Sequence, residues 1–212
     1  MLRRLVVSLA VLAAVLALAD YGLRLYSESV VAGEVKSALA LSEKPKISFG
    51  GWPFATHAIS GEFPSASLSA STFSSHGIAM HQVEVTFENI HLPRRRLLTG
   101  GGGTIRAQRG QGTVVMTGAD LTATLRHAGA PFSVRIAKGR ASATGQGITV
   151  GLTLRISGDS VVLTPAATTI GSTSFTLPRV IRGIRYTGLK LEGDEAVLTV
   201  AVRHAVFVVP NS

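Results

Sequence analysis

The sequence predicts an α+β fold: a long antiparallel β-sheet led by an amphipathic helix, with an apolar signal or anchor helix in front. Three observations predict it. The first residues form an uninterrupted apolar run behind two arginines. From Asp20 to Leu41 the apolar residues recur at helical spacing. From Lys46 onward the period changes to two, with glycine-rich breaks between alternating segments.

Met1–Leu2–Arg3–Arg4 is a basic start, and Leu5 to Ala19 follows with Ser8 as its only polar residue. Ala17–Leu18–Ala19 then presents small residues ahead of Asp20, the pattern a signal peptidase reads. Residues 1–19 are therefore expected to be a signal peptide or signal anchor, with residues 20–212 as a single domain. The run from Leu5 to Ala19 falls short of the roughly 20 residues that span a bilayer comfortably. Continuation through Tyr21, Leu23 and Leu25 lengthens it enough to remain as an anchor in the inner membrane. Either outcome exports the body to the periplasm or cell envelope.

Val31, Val35, Ala38 and Leu39 lie on one stripe of the next helix, while Glu34, Lys36 and Ser37 fall off it, so one face must pack on something apolar. Pro45 closes the helical region. In the strand region, Val83, Val85 and Phe87 alternate with Gln82, Glu84, Thr86 and Glu88. Ile148, Val150, Leu152, Leu154 and Ile156 form the longest series, Val134 and Ile136 a short one, and Leu198, Val200 and Val202 another. Strict alternation marks half-buried antiparallel strands. Leu121 and Leu125 interrupt it with helical spacing over Ala119–His127. The expectation is about eight strands, one leading helix and one short helix.

Composition narrows the chemistry. The chain has 46% hydrophobic and only 16% charged residues, too apolar and too weakly charged for disorder. It contains no cysteine, which removes disulfides, thiolate metal sites and thiol nucleophiles. The net charge is +9, or +7 without Arg3 and Arg4. With an export signal in front, this charge points to an anionic membrane surface and not to nucleic acid. The six histidines match no metal-ligand spacing, so no metal and no cofactor are expected. Glu84 and Glu88 share a strand face about 13 Å apart, wider than the roughly 5–9.5 Å of a glycosidase pair. Gly100 to Gly103 lack the Lys-Ser/Thr ending of a phosphate loop and lead into Thr104–Ile105–Arg106, a strand start. No catalytic residues are assigned, and a non-enzyme is expected.

The remaining signals are apolar. Phe49–Gly50–Gly51–Trp52–Pro53–Phe54 sets three aromatics around a Gly-Gly turn. These rings either plug a core or line the mouth of a cavity or a membrane interface. Arg94, Arg95 and Arg96, after Pro93, are candidates to hold a lipid headgroup.

Three blocks carry a resemblance to a known family. They are Val31–Ala32–Gly33–Glu34–Val35–Lys36–Ser37–Ala38–Leu39 behind the signal segment, Ile47–Ser48 running into the aromatic block and on to Gly61–Glu62–Phe63, and Leu177–Pro178 followed by Gly183–Ile184–Arg185 and Gly188–Leu189–Lys190–Leu191. In this order they resemble the LmeA-like phospholipid-binding proteins of actinobacterial cell envelopes. The chain departs from that pattern after the aromatic block, where Ala55–Thr56–His57 replaces a Leu-Thr-Gln found in members. The resemblance implies phospholipid as partner, a supporting role in lipid or lipoglycan homeostasis, and a tubular lipid-binding fold in which a curved sheet wraps the leading helix.

On that reading Val35, Leu39, Phe49, Trp52, Phe54, Phe63, Phe87, Leu152 and Leu154 are the expected lining or mouth of an acyl-chain cavity. Burial of lipid is worth about 0.8 kcal/mol per methylene, so two chains of about 30 methylenes represent some 24 kcal/mol that a carrier must match. The same residues would equally fill a solid core, giving a membrane-associated envelope scaffold without a cavity. A continuous cavity separates the two. The sequence leaves the oligomeric state open.

Overall fold

A single helix, α1 (Leu2–Ala38), runs without a break from the basic start into the body of the protein. The computed structural model describes residues 2–39, 41–75, 78–93, 103–130, 132–166, 171–179 and 182–209. The stretch Val6–Ala38 is long and apolar enough to cross a membrane, and it fits a signal or an anchor. Its first half exposes Val6, Leu9, Leu12, Val15, Leu16 and Leu18 around the whole circumference. A helix apolar on every side requires an apolar surrounding. Its second half is amphipathic, and Val31 and Ala32 are buried against the body.

The strands form two antiparallel sheets, where the sequence reading expected one. The larger has the order β1–β2–β3–β4–β11–β10: β1 (Lys46–Phe49), β2 (Glu62–Ser75), β3 (Ile78–His91), β4 (Gly103–Thr117), β10 (Arg182–Glu192) and β11 (Glu195–Val209). The smaller runs in sequence order through β5 (Ser133–Ala137), β6 (Arg140–Gly145), β7 (Ile148–Ser157), β8 (Ser160–Pro165) and β9 (Thr173–Thr176). Four-residue strands such as β1 and β9 are too short to show a period, so the sequence count of about eight falls below the eleven found among the described residues. Among the described residues two further helices join them, α2 (Phe54–Ser60) and α3 (Gly118–His127). Helix α3 occupies the Leu121/Leu125 segment expected to be helical and begins at a capping box between Thr117 and Asp120.

The large sheet is bent by a crease that crosses three neighbouring strands. Asn89 on β3 and His204 on β11 adopt left-handed backbone, with φ of 51° and 50°, and both face Gln108 of β4. Left-handed non-glycine residues inside strands are uncommon and mark bends. Along β11 the buried series Leu198, Val200 and Val202 changes phase at this point and resumes at Ala205. On β3 the buried residues Val85 and Phe87 give way to Ile90 in the same manner. The change of phase keeps apolar side chains on the inner face on both sides of the crease.

Three side chains on α1 fix the helix to the body where it leaves its apolar half. The Asp20 carboxylate accepts hydrogen bonds from the backbone N–H groups of Phe54 and Ala55, at 2.9 and 2.6 Å. Helix α2 starts after Pro53, which offers no side-chain cap, so Asp20 supplies the missing acceptor from a distant part of the chain. Glu28 accepts from Phe49 N–H at 2.8 Å and from Arg24, and Arg24 donates to Ser48 on β1.

Candidate lipid site

The inner face of the large sheet and the amphipathic half of α1 border a partly open cavity of about 310 Å³. Helix α1 contributes Val31, Val35, Ala38 and Leu39, and every strand of the sheet contributes lining residues. Apart from Ser67 and the tyrosine Tyr186, every lining side chain is apolar. The Tyr186 hydroxyl already donates to the Pro178 carbonyl at 2.9 Å. Burial, with a smaller contribution from the negative charge of Asp159, pushes the Tyr186 phenol up to about 12, so it is neutral at physiological pH. A cavity with so few free polar groups suits hydrocarbon and offers almost nothing to a charged headgroup.

Small residues create the space. Ala66 and Ala70 on β2 and Ala107 on β4 are buried and line the cavity from the inner face of the sheet. Phe87 and Phe207 meet edge to face at a centroid distance of 5.6 Å and form part of the wall. Val35, Leu39, Ile184 and Phe207 are only partly buried although they line the cavity.

The expected site residues separate into five groups. Val35, Leu39, Phe49 and Phe87 line the cavity together. Phe54 and Phe63 are almost fully buried and stack with Phe49 at centroid distances of 4.8–6.1 Å, closing the end near Asp20 and lying behind the lining. Trp52 is 80% exposed and lies outside it. Leu152 and Leu154 belong to the smaller sheet, buried and beside a shallow groove shared with β10. Arg94, Arg95 and Arg96 lie outside the described residues.

Sequence reasoning missed β2 almost entirely. Its alternation is between serine and alanine, Ser65–Ala66–Ser67–Leu68–Ser69–Ala70, and carries little hydrophobic contrast. Small apolar residues at period two were the available signal for an inner face with space in front of it. Tyr186 and Phe207 were also missed, since their strands gain meaning only beside α1.

The fold and the cavity define an α+β protein with room for an apolar ligand and a leading helix suited to a membrane. The chain belongs to the LmeA-like phospholipid-binding family, whose match covers residues 18–202. That membership supports a phospholipid-binding role. No curated protein and no solved structure matches the chain.

Proposed function

We propose that this protein is a non-catalytic phospholipid-binding protein of the cell envelope that holds acyl chain in the cavity between α1 and the large sheet. The observation that carries this reading is an apolar cavity in a member of a phospholipid-binding family. Its volume of about 310 Å³ lies at the low end of the roughly 300–1,000 Å³ typical of ligand pockets. At about 30 Å³ for a group the size of a water or methylene, it takes on the order of ten methylenes. Their transfer from water is worth about 8 kcal/mol, a third of the roughly 24 kcal/mol for a two-chain lipid. In this form the cavity accommodates part of one acyl chain, and the remainder of a lipid lies outside it.

The N-terminal half of α1 acts as a retained anchor in this reading. Residues 2–19 extend about 27 Å as helix, close to the roughly 30 Å of a bilayer core. The body then lies on the outer side of the inner membrane, in the periplasm or envelope, where lipid or lipoglycan homeostasis is the process it serves.

Native mass spectrometry of the full chain, released from membranes in mild detergent, tests the proposal. The expected spectrum contains the chain with bound phospholipid. A chain that is lipid-free as isolated, and stays so after incubation with phospholipid vesicles, would leave an envelope scaffold with an unused cavity.

A further inference from the structure

The anchor reading of α1 sets one end of the body against the bilayer, and that end carries two unusual surface features. Asp20 marks where α1 meets the body, and it does so at the start of α2. Beside it Trp52 is 80% exposed, and Ile59 on α2 is 73% exposed. The same end of the large sheet follows from register. Phe63 pairs with Ile90, Leu92 N–H donates to the Gly61 carbonyl, and His91 pairs with Arg106.

The outer face of the sheet at this end is arginine-rich. Arg106 and Arg182 both stand opposite Val206, one on each side of β11. Arg109 and Arg203 are direct cross-strand partners, and Arg185 lies one strand further on. All five are exposed, and none forms an ion pair among the described residues. Two acidic residues lie nearby: Glu62, within 3.5 Å of His91, and Glu88, opposite Arg109. Like charges directly opposed on neighbouring strands destabilise a sheet. The Arg109–Arg203 pair, offset in part by Glu88, therefore carries a cost in the isolated protein that an anionic partner removes.

We infer that this end is a membrane-docking surface, in which Trp52 and Ile59 enter the interface and the arginine face binds the headgroups of anionic phospholipid. The two halves match the chemistry of a bilayer surface: indole and aliphatic side chains at headgroup depth, and guanidinium groups for phosphate. Arg106 and Arg182 lie nearest the strand ends, and Arg109 and Arg203 follow about 10 Å higher, roughly one Debye length away. The inference rests on α1 as an anchor and is independent of what fills the cavity.

Trp52 is the single tryptophan of the chain, so its emission reports this surface without a label. The full chain is reconstituted in vesicles of phosphatidylcholine alone or with phosphatidylglycerol, and flotation verifies that α1 has inserted. Anionic vesicles are expected to shift Trp52 emission to the blue and to expose it to quenching by brominated acyl chains, and high salt reverses both. Each interfacial arginine contributes about five-fold, so Arg106→Ala with Arg182→Ala lowers the docked-to-undocked ratio about 25-fold. Arg203→Ala provides a control for folding. It removes one of the opposed charges, so it weakens docking while the protein melts no lower than the parent. Equal Trp52 emission in neutral and anionic vesicles, or arginine variants that respond like the parent, would overturn the inference and leave the face to a soluble anion or an acidic protein. Lipid bound to the chain by mass is read separately, so failure here does not touch the cavity proposal.

Discussion

Ala107→Phe is the substitution that most sharply separates a lipid cavity from an incidental void. Ala107 is 3% exposed and lines the cavity from β4. A phenyl ring there projects into the space and displaces about four of the roughly ten methylene-sized groups the cavity holds. At about 0.8 kcal/mol each, the variant forfeits about 3 kcal/mol of acyl-chain burial, a loss of affinity of about 150-fold. The lipid-free protein should respond in the opposite direction. Filling empty volume recovers part of a cavity term of about 24 cal/mol per Å³, partly offset by strain from overpacking, so the apo variant melts at or above the parent temperature. A titration of the full chain with a single-tailed phospholipid, read as bound and free protein by native mass spectrometry, gives the affinity. Thermal unfolding of the same samples gives the stability. Parental affinity in a folded Ala107→Phe protein would refute the assignment of this cavity to acyl chain.

Three further outcomes follow from particular contacts. A Cβ at Gly112 would collide with the Glu84 carbonyl and sit 2.8 Å from the Val85 Cα, so Gly112→Ala should destabilise by about 2–3 kcal/mol in chemical denaturation. Asp20→Ala removes the acceptor for Phe54 and Ala55, and it should cost about 1–2 kcal/mol and raise amide exchange at those two residues first. The Tyr186 phenol is pushed from 10.0 up to about 12 in the folded protein, so folding favours its neutral form. Its contribution is fully present below pH 10 and is lost as the pH rises toward 12. Ultraviolet titration should find one late tyrosine phase that Tyr186→Phe abolishes.

The elements were legible where a period could run long enough to declare itself. The β7 series from Ile148 to Ile156, the Leu198–Val202 series and the Leu121/Leu125 helix all follow from spacing alone. The division into two sheets was not legible, because alternation specifies which side of a strand is apolar but not which sheet the strand joins. Leu152 and Leu154 therefore read like lining residues, though they pack in the smaller sheet. The crease at Asn89, Gln108 and His204 was hidden as well, since a one-residue change of phase looks in sequence like an imperfect strand. In the aromatic block, the sequence could not say which ring points inward. Phe49 reaches the cavity, Phe54 and Phe63 seal its end, and Trp52 faces solvent. Gly51 in that block adopts φ of 104° with the His57 ring where a Cβ would stand, so the glycine reading there was sound.

In the proposed function, acyl chain occupies the space between α1 and the inner face of the large sheet. Photocrosslinking with a phospholipid that carries a diazirine near the end of one acyl chain tests it most directly, using the full chain in vesicles and mapping adducts by peptide mass spectrometry. Adducts are expected on inward-facing residues of β3 and β4, around Val85, Phe87, Ala107 and Val114, reduced by Ala107→Phe. Adducts confined to the exposed N-terminal half of α1, with none on those strands, would contradict it.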